Sequence, residues 1–99
     1  MHHFRFHMNE ALAQLAEDVF TRAAPAGWPR PTTEIQQSEL LLTVDLPEDL
    51  SHTRLTKAER RAVALALNAL MPSTEPLGIW TVCISSRGKV VDSILANDL

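Results

Sequence analysis

An aliphatic residue at every second position of one segment is the feature that most restricts the fold of this chain. Leu40, Leu42, Val44 and Leu46 alternate with Leu41 and two polar residues. Successive side chains of a strand point to opposite faces, so this spacing predicts a central strand with one wholly aliphatic face. That face has to be covered by a second layer of structure, because it would otherwise lie in water.

Apolar residues recur at helical spacing before this strand. The residues expected to face the core are Leu12, Leu15, Ala16, Val19 and Phe20. They follow one another at intervals of three and four or lie side by side, which predicts an amphipathic helix. Asn9 is the expected N-cap, and Pro25 is expected to end the helix near Ala24. Trp28, in the proline-rich connection that follows, is expected to cover the edge of the core.

A second helix is predicted after the central strand. The sequence Thr56-Lys57-Ala58-Glu59 is a capping box, in which the threonine hydroxyl and the glutamate carboxylate each satisfy a free amide. The helix is therefore expected to begin at Thr56 and to end at Met71, before a proline. Because its residues are apolar nearly all round, we expect it to be the most buried element.

The two ends of the chain both show strand patterns. Phe4, Phe6 and Met8 alternate with His and Arg, which predicts a short N-terminal strand. Near the C-terminus two apolar runs flank Arg87-Gly88, which predicts a β-hairpin with a two-residue turn.

The expected hairpin register pairs Ile84 with Val91, Val82 with Ser93, and Trp80 with Leu95. It leaves Cys83 and Asp92 together on the other face of the sheet. A three-residue loop would instead place Asp92 beside Val82, where an unpaired carboxylate is costly.

These elements predict one α+β domain over residues 1–99, since the chain is too short for two domains. We expect a two-layer sandwich: an antiparallel or mixed sheet of three to four strands with two helices on one face, in the order (β)-α-β-α-β-β. Residues 32–37 either extend the central strand or form its hairpin partner across a turn at Gln37-Ser38. The residues expected to be buried are Leu12, Leu15, Val19, Phe20, Leu42, Val44, Val63, Leu67, Leu70, Val82 and Ile84.

Composition narrows the possible partners. The formal net charge of −3 provides no global basic field, so we do not expect nucleic acid or a membrane as the partner. Cys83 is the only cysteine, which excludes an internal disulfide and favours the reducing cytoplasm. The N-terminus lacks a continuous apolar stretch, so export is not expected. The most apolar stretch, Ala62–Met71, includes Asn68 and is far shorter than the roughly 20 residues that cross a bilayer.

One cluster of charges contradicts the usual pattern of helices. Arg54, Lys57, Arg60 and Arg61 gather around the start of the second helix, where the helix dipole disfavours cations. They form a candidate anion site, with nucleic acid as one conceivable ligand. The competing interpretation is that these cations pair with Glu48 and Asp49 or are simply solvated.

Candidate catalytic and metal sites are weak. Cys83 and His52 could form a nucleophile and base with Asp45 or Asp92, but nothing in the sequence places them together, and we do not expect an enzyme. The N-terminal amine with nearby His2, His3 and His7 could hold Cu(II) or Ni(II), yet flexible terminal atoms make a poor physiological site. We expect neither a metal nor a cofactor.

An excess of apolar residues is the most informative functional feature. One small core does not need all of the apolar residues in this sequence, and the excess includes Leu41, Leu65, Ala69 and Ile94. Such an excess indicates a surface that binds a partner, although scattered exposed leucines are the simpler interpretation. We therefore expect a small intracellular protein-binding module, a regulator or inhibitor such as a phage or plasmid accessory protein. Self-association as a two-fold dimer is also expected, through the edge of the last strand or through the second helix.

Overall fold

In a computed structural model, the described part of the chain forms two helices and four strands. The structure describes residues 2–36, 39–70 and 79–96, with side chains from Glu10 onward except that of Ile79. In chain order the elements are α1 (His2–Ala23), β1 (Thr32–Gln36), β2 (Glu39–Leu46), a single 3-10 turn (Glu48–Leu50), α2 (Lys57–Leu70), β3 (Ile79–Ser86) and β4 (Lys89–Leu95).

The four strands form one mixed sheet in the order β1-β2-β3-β4. β1 and β2 are antiparallel, β2 and β3 are parallel, and β3 and β4 are antiparallel. The parallel pair is joined by a crossover that contains α2, as parallel strands require. The predicted two-layer α+β class is confirmed, with the element order α-β-β-α-β-β.

Residues 32–36 form the hairpin partner of the central strand, which decides the alternative that the sequence left open. β1 pairs with β2 from Thr32 opposite Thr43 to Gln36 opposite Glu39. Residues 37–38, the expected turn, lie outside the described residues.

The predicted N-terminal strand is wrong, because residues 2–9 belong to α1. Asn9 therefore lies inside the helix and is not its N-cap. Three alternating apolar residues are a short pattern, and no proline or glycine separates them from the helical segment. A helix that has already formed gains one hydrogen bond per added residue without a new nucleation step, so extending α1 competes well with starting a strand. The expected end is confirmed to within one residue, since α1 stops at Ala23.

The apolar face of α1 is narrower than predicted. Ala16 and Phe20 are fully buried, and Leu12 and Val19 pack against the core, but Leu15 is 51% exposed. At about 100° per residue Leu15 lies at the margin of the stripe, on the side away from Phe20. Its side chain therefore misses the sheet.

The connection after α1 is held against the helix by two side chains. Trp28 is buried in the core, as expected. Arg30 donates hydrogen bonds to Glu17 Oε1 at 2.9 Å and to Asp18 Oδ1 at 2.7 Å. These contacts fix where the chain enters β1.

The capping box of α2 is confirmed in both directions. Thr56 N donates to Glu59 Oε1 at 2.8 Å, and Glu59 N donates to Thr56 Oγ1 at 3.1 Å. The helix is not the most buried element, however, because its buried residues are Val63, Ala64 and Leu67 only. The two central strands are buried more than α2: β2 buries Leu40, Leu42, Val44 and Leu46, and β3 buries Trp80, Val82, Ile84 and Ser86. The predicted end at Met71 lies outside the described residues.

A β-bulge corrects the predicted hairpin register. The two-residue turn is confirmed, with Ser86 opposite Lys89 and positive φ angles of 55° at Arg87 and 76° at Gly88. Beyond Ser85 the register shifts by one, so that Ile84 lies opposite Asp92 and not Val91.

This shift has a packing reason. It places Val82 opposite Ile94, and Ile94 becomes fully buried. In the predicted register Ile94 would face away from the helices and lose that burial. The shift also separates Cys83 from Asp92, which were expected to share a face, because Cys83 now lies opposite Ser93.

One hydrophobic core lies between the helices and one face of the sheet. Of the residues predicted to be buried, Leu42, Val44, Val82 and Ile84 are buried, as are Phe20, Val63 and Leu67; Leu12, Val19 and Leu70 are partly buried against the core. Trp80, the largest fully buried side chain, donates from Nε1 to Asn68 Oδ1 at 2.8 Å and so ties β3 to α2. Among the described residues, neither helix is long and apolar enough to cross a membrane.

Candidate functional site

The side of α2 that faces away from the sheet carries a stripe of exposed apolar residues. Leu65 is 50% exposed, and Ala58, Ala62 and Ala69 are exposed as well. Their spacing of four, three and four residues places them along one line of the helix. We call these four residues the outer face of α2. Sequence reasoning identified Leu65 and Ala69 and missed the two alanines of the first turns.

The other predicted partner residues do not extend this surface. Leu41 is half-buried on the sheet face that the helices leave uncovered. Ile94 is fully buried in the core, so it offers no surface to a partner. Leu95, its neighbour, is 45% exposed and takes the outward position on β4.

Arg60 joins α2 to β4. Its Nη2 donates to both carboxylate oxygens of Asp92, at 2.8 and 2.7 Å, and its Nη1 donates to Ser93 O at 2.7 Å. The side chains of Arg60 and Asp92 are 32% and 20% exposed, so the pair is largely shielded from water. The bulge turns a carboxylate toward the helix layer, and Arg60 supplies the partner that makes this tolerable.

The pKa of Asp92 is held below its usual value. Burial of the carboxyl raises the pKa, and this is the largest single influence. It is outweighed by the hydrogen bonds from Arg60 and from Ser93 N, with the positive charges of Arg60 and Arg54 adding to them. Asp92 is therefore ionised at neutral pH and belongs to a structural ion pair.

The four cations predicted as an anion site have different surroundings. Arg60 is committed to Asp92, while Lys57 and Arg61 are exposed on α2. Arg54 Nη1 donates to Ser51 O at 2.9 Å and to Thr53 O at 2.8 Å, before the helix begins. Arg60 pairs with Asp92 and not with Glu48 or Asp49, and Glu48 pairs with Arg87.

The edge of β4 is blocked at one position. Ser93 N donates to Asp92 Oδ1 at 2.8 Å, while Ser93 O accepts from Arg60. Both main-chain groups of Ser93 are thus engaged by side chains. A strand added here from a second copy would have to compete with those contacts, which weakens β4 as a dimer edge.

The candidate catalytic residues are not brought together by hydrogen bonds. Cys83 is half-buried in β3, His52 is exposed after the 3-10 turn, and Asp45 accepts a hydrogen bond from Ser85 Oγ at 3.1 Å. Within residues 10–36, 39–70 and 80–96, no group of three or more His, Cys, Asp or Glu side chains is placed to hold a metal ion. The side chains of His2, His3 and His7 lie outside that part of the chain.

Sequence reasoning missed the Arg60–Asp92 pair, and a signal for it existed. Asp92 interrupts an otherwise apolar run of β4, and a carboxylate in that setting calls for a cation from a neighbouring element. Arg60 is one of the cations near the start of α2, where the helix dipole disfavours positive charge, and it could have been predicted to pair with Asp92. The basic residues Arg87 and Lys89 on either side of the hairpin glycine were missed in the same way.

No protein-family model, no curated protein and no solved structure matches this chain. The geometry of its own side chains is therefore what bears on its function.

Proposed function

We propose that this chain is a small protein-binding module, a regulator or inhibitor, that acts through the outer face of α2. The observation that carries the proposal is Leu65, a leucine that remains 50% exposed at the centre of a stripe of alanines. A helix that buries one apolar face in the core and leaves a second in water has more apolar surface than its own fold uses. Burying that second face against a partner would be favourable.

The shape of this face suits another helix. α2 has 14 residues, which is about 21 Å of helix at 1.5 Å per residue. Alanine side chains are short, so a partner helix can approach closely around the protruding Leu65. Lys57 and Arg61 are exposed on the same helix and would favour a partner with acidic residues beside its apolar positions.

A second copy of the chain is the first partner to test. A two-fold dimer uses the same patch on both copies, and a short apolar helix face can serve both sides of such an interface. The proposal places the protein in the cytoplasm, where the single cysteine stays reduced, and assigns it no catalytic step.

Sedimentation velocity over a range of micromolar concentrations tests self-association, and affinity capture tests binding to another protein. Leu65→Glu is expected to abolish the dimer or the captured complex and to leave the fold intact, because Leu65 contributes little to the core. Leu15→Glu is the matched control, since it places the same charge on an equally exposed leucine of α1. The control variant should retain full association.

Two results would remove the proposal. One is that the wild-type protein is monomeric at every concentration and that Leu65→Glu captures every protein that the wild type captures. The other is equal loss of association in both variants, which would point to a general effect of added charge.

A further inference from the structure

An open cleft of about 360 Å³ lies at one end of the sheet, apart from the outer face of α2. Ser51, His52 and Arg54, in the connection from β2 to α2, form one wall. Ser86, Arg87 and Lys89, at the β3–β4 turn, form the other. This volume falls at the small end of the range of ligand sites, roughly 300–1,000 Å³.

The cleft occurs where the topology favours a ligand site. β2 and β3 are the parallel pair, and their last residues, Leu46 and Ser86, lie opposite each other. Beyond them the chain leaves β2 toward α2 and turns from β3 into β4. Connections that diverge beyond the carboxyl ends of parallel strands leave a crevice, and ligands in open sheets bind there.

Ser86 supplies an independent sign of a ligand. It occupies the core-facing register position opposite Leu46 and is only 7% exposed. Its Oγ has no hydrogen-bond partner among the described residues, and Ser86 lines the cleft. Buried hydroxyls are nearly always hydrogen-bonded, so the Ser86 hydroxyl on the cleft wall is available to donate to a ligand oxygen.

The charge of the cleft is positive on both walls. Arg54, Arg87 and Lys89 line it, and no acidic side chain does so among the described residues. The carbonyls that bind Arg54 Nη1 hold its guanidinium in place and leave Nε and Nη2 without a partner in the described part of the chain. Arg87 binds Glu48 in an exposed pair, which contributes little and can be exchanged for a ligand oxygen.

We infer that this cleft binds the phosphate group of a small phosphorylated molecule. Three cations with a buried hydroxyl exceed what a carboxylate with two oxygens can use, and they match a phosphate that presents three terminal oxygens and up to two negative charges. The volume exceeds that of a bare phosphate and leaves room for a small attached group. The inference uses none of the residues of the outer face of α2 and goes beyond the proposed function.

The test is a titration of the 15N-labelled protein with inorganic phosphate and with ribose 5-phosphate, at constant ionic strength and followed by amide chemical shifts. The amides of residues 51–54 and 86–89 are expected to shift with a saturable dependence on either probe, and ribose 5-phosphate should bind more tightly. Chloride serves as the reference anion.

Matched variants separate the cleft from general charge. Ser86→Ala, Arg54→Gln and Lys89→Gln are each expected to weaken binding about tenfold, the usual effect of losing one hydrogen bond to a charged group. Arg61→Gln removes the same charge from an exposed position on α2 and should change binding less than about twofold. Ser86→Ala removes a hydroxyl with no protein partner, so it should keep the thermal midpoint or raise it, and this shows that lost binding is not lost folding.

Three results would overturn the inference. The first is that neither probe shifts the cleft amides at millimolar concentration. The second is that Ser86→Ala binds as tightly as the wild type. The third is that Arg61→Gln weakens binding as much as Arg54→Gln does. A short single-stranded oligonucleotide that binds with a steep salt dependence where ribose 5-phosphate does not would also overturn it, in favour of a nucleic-acid surface.

Discussion

Replacing Arg60 and Asp92 singly and together tests the contact that ties α2 to the edge of the sheet. Arg60→Met keeps most of the length of the side chain and removes its charge and its donors. Asp92→Asn keeps the shape of the carboxylate and removes its charge. The double variant removes the ion pair and leaves no uncompensated charge behind.

The expected magnitudes follow from the shielding of the pair. Breaking a fully buried pair costs about 3–5 kcal/mol, and an exposed pair is worth about 0–1 kcal/mol. Side-chain exposures of 32% and 20% place Arg60 and Asp92 between these limits. We expect Arg60→Met to lower the free energy of unfolding by about 2–3 kcal/mol, since it leaves a shielded carboxylate and Ser93 O without their donor. Asp92→Asn should lower it by about 1–2 kcal/mol, because Arg60 retains more access to water.

The pair itself is measured by the coupling free energy, the amount by which the two single losses exceed the loss in the double variant. We expect about 1–2 kcal/mol at neutral pH. The pKa of Asp92 is lower in the folded protein, so this stabilisation is fully present above the unfolded-state pKa of about 4. It disappears as the pH falls through the folded-state pKa, where Asp92 becomes protonated in the folded protein as well.

Urea unfolding followed by far-UV circular dichroism gives the free energies of unfolding, with one slope shared by all variants if the transition is two-state. Arg61→Met is the control, because it removes an exposed cation from the same helix and should stay within about 0.5 kcal/mol of the wild type. A coupling below about 0.5 kcal/mol at pH 7, or one that does not begin to fall as the pH is lowered below about 4, would show that the reasoning about Asp92 is wrong.

Three further changes test local features of the fold by the same unfolding measurement. Thr56→Ala removes one half of the capping box with Glu59 and is expected to cost about 1 kcal/mol; an unchanged unfolding midpoint would show that the box contributes nothing. Asn68→Ala leaves Trp80 Nε1 without its acceptor and should cost about 1–3 kcal/mol, whereas Asn68→Asp, which keeps an acceptor oxygen, should cost less. Gly88→Ala places a Cβ at a φ of 76° with open space around it, so the expected loss of about 1–2 kcal/mol comes from backbone strain alone. The loss should be smaller for Gly88→Asn, because asparagine tolerates the left-handed region better than alanine does.

Several elements are determined by short stretches of sequence, because their causes are local. The alternation of Leu40 to Leu46 predicted the buried face of β2, and the capping box predicted the start of α2. The turn at Arg87-Gly88 is equally local, since only two residues have to adopt positive φ. In each case the physical reason is steric or hydrogen-bonded within a few residues.

The candidate sites were predicted less well than the fold. Leu65 and Ala69 are exposed as a surface residue must be, whereas Ile94 is part of the core. The cleft combines Arg54 with residues of the hairpin turn, and no local pattern relates segments that are 32 residues apart in the chain, from Arg54 to Ser86. Their proximity depends on the parallel pairing of β2 with β3.

Tertiary structure decided the features in which two distant segments compete for the same space. A regular hairpin register was compatible with the sequence from Thr81 to Leu95, but the core gained Ile94 by accepting a bulge. The bulge in turn brought Asp92 toward α2, where Arg60 could neutralise it. Burial depends on which surfaces meet, and the energy of a charge depends on what faces it. The burial of Ile94 and the pairing of Asp92 with Arg60 are both determined only when the helices pack on the sheet, so the sequence by itself did not predict them.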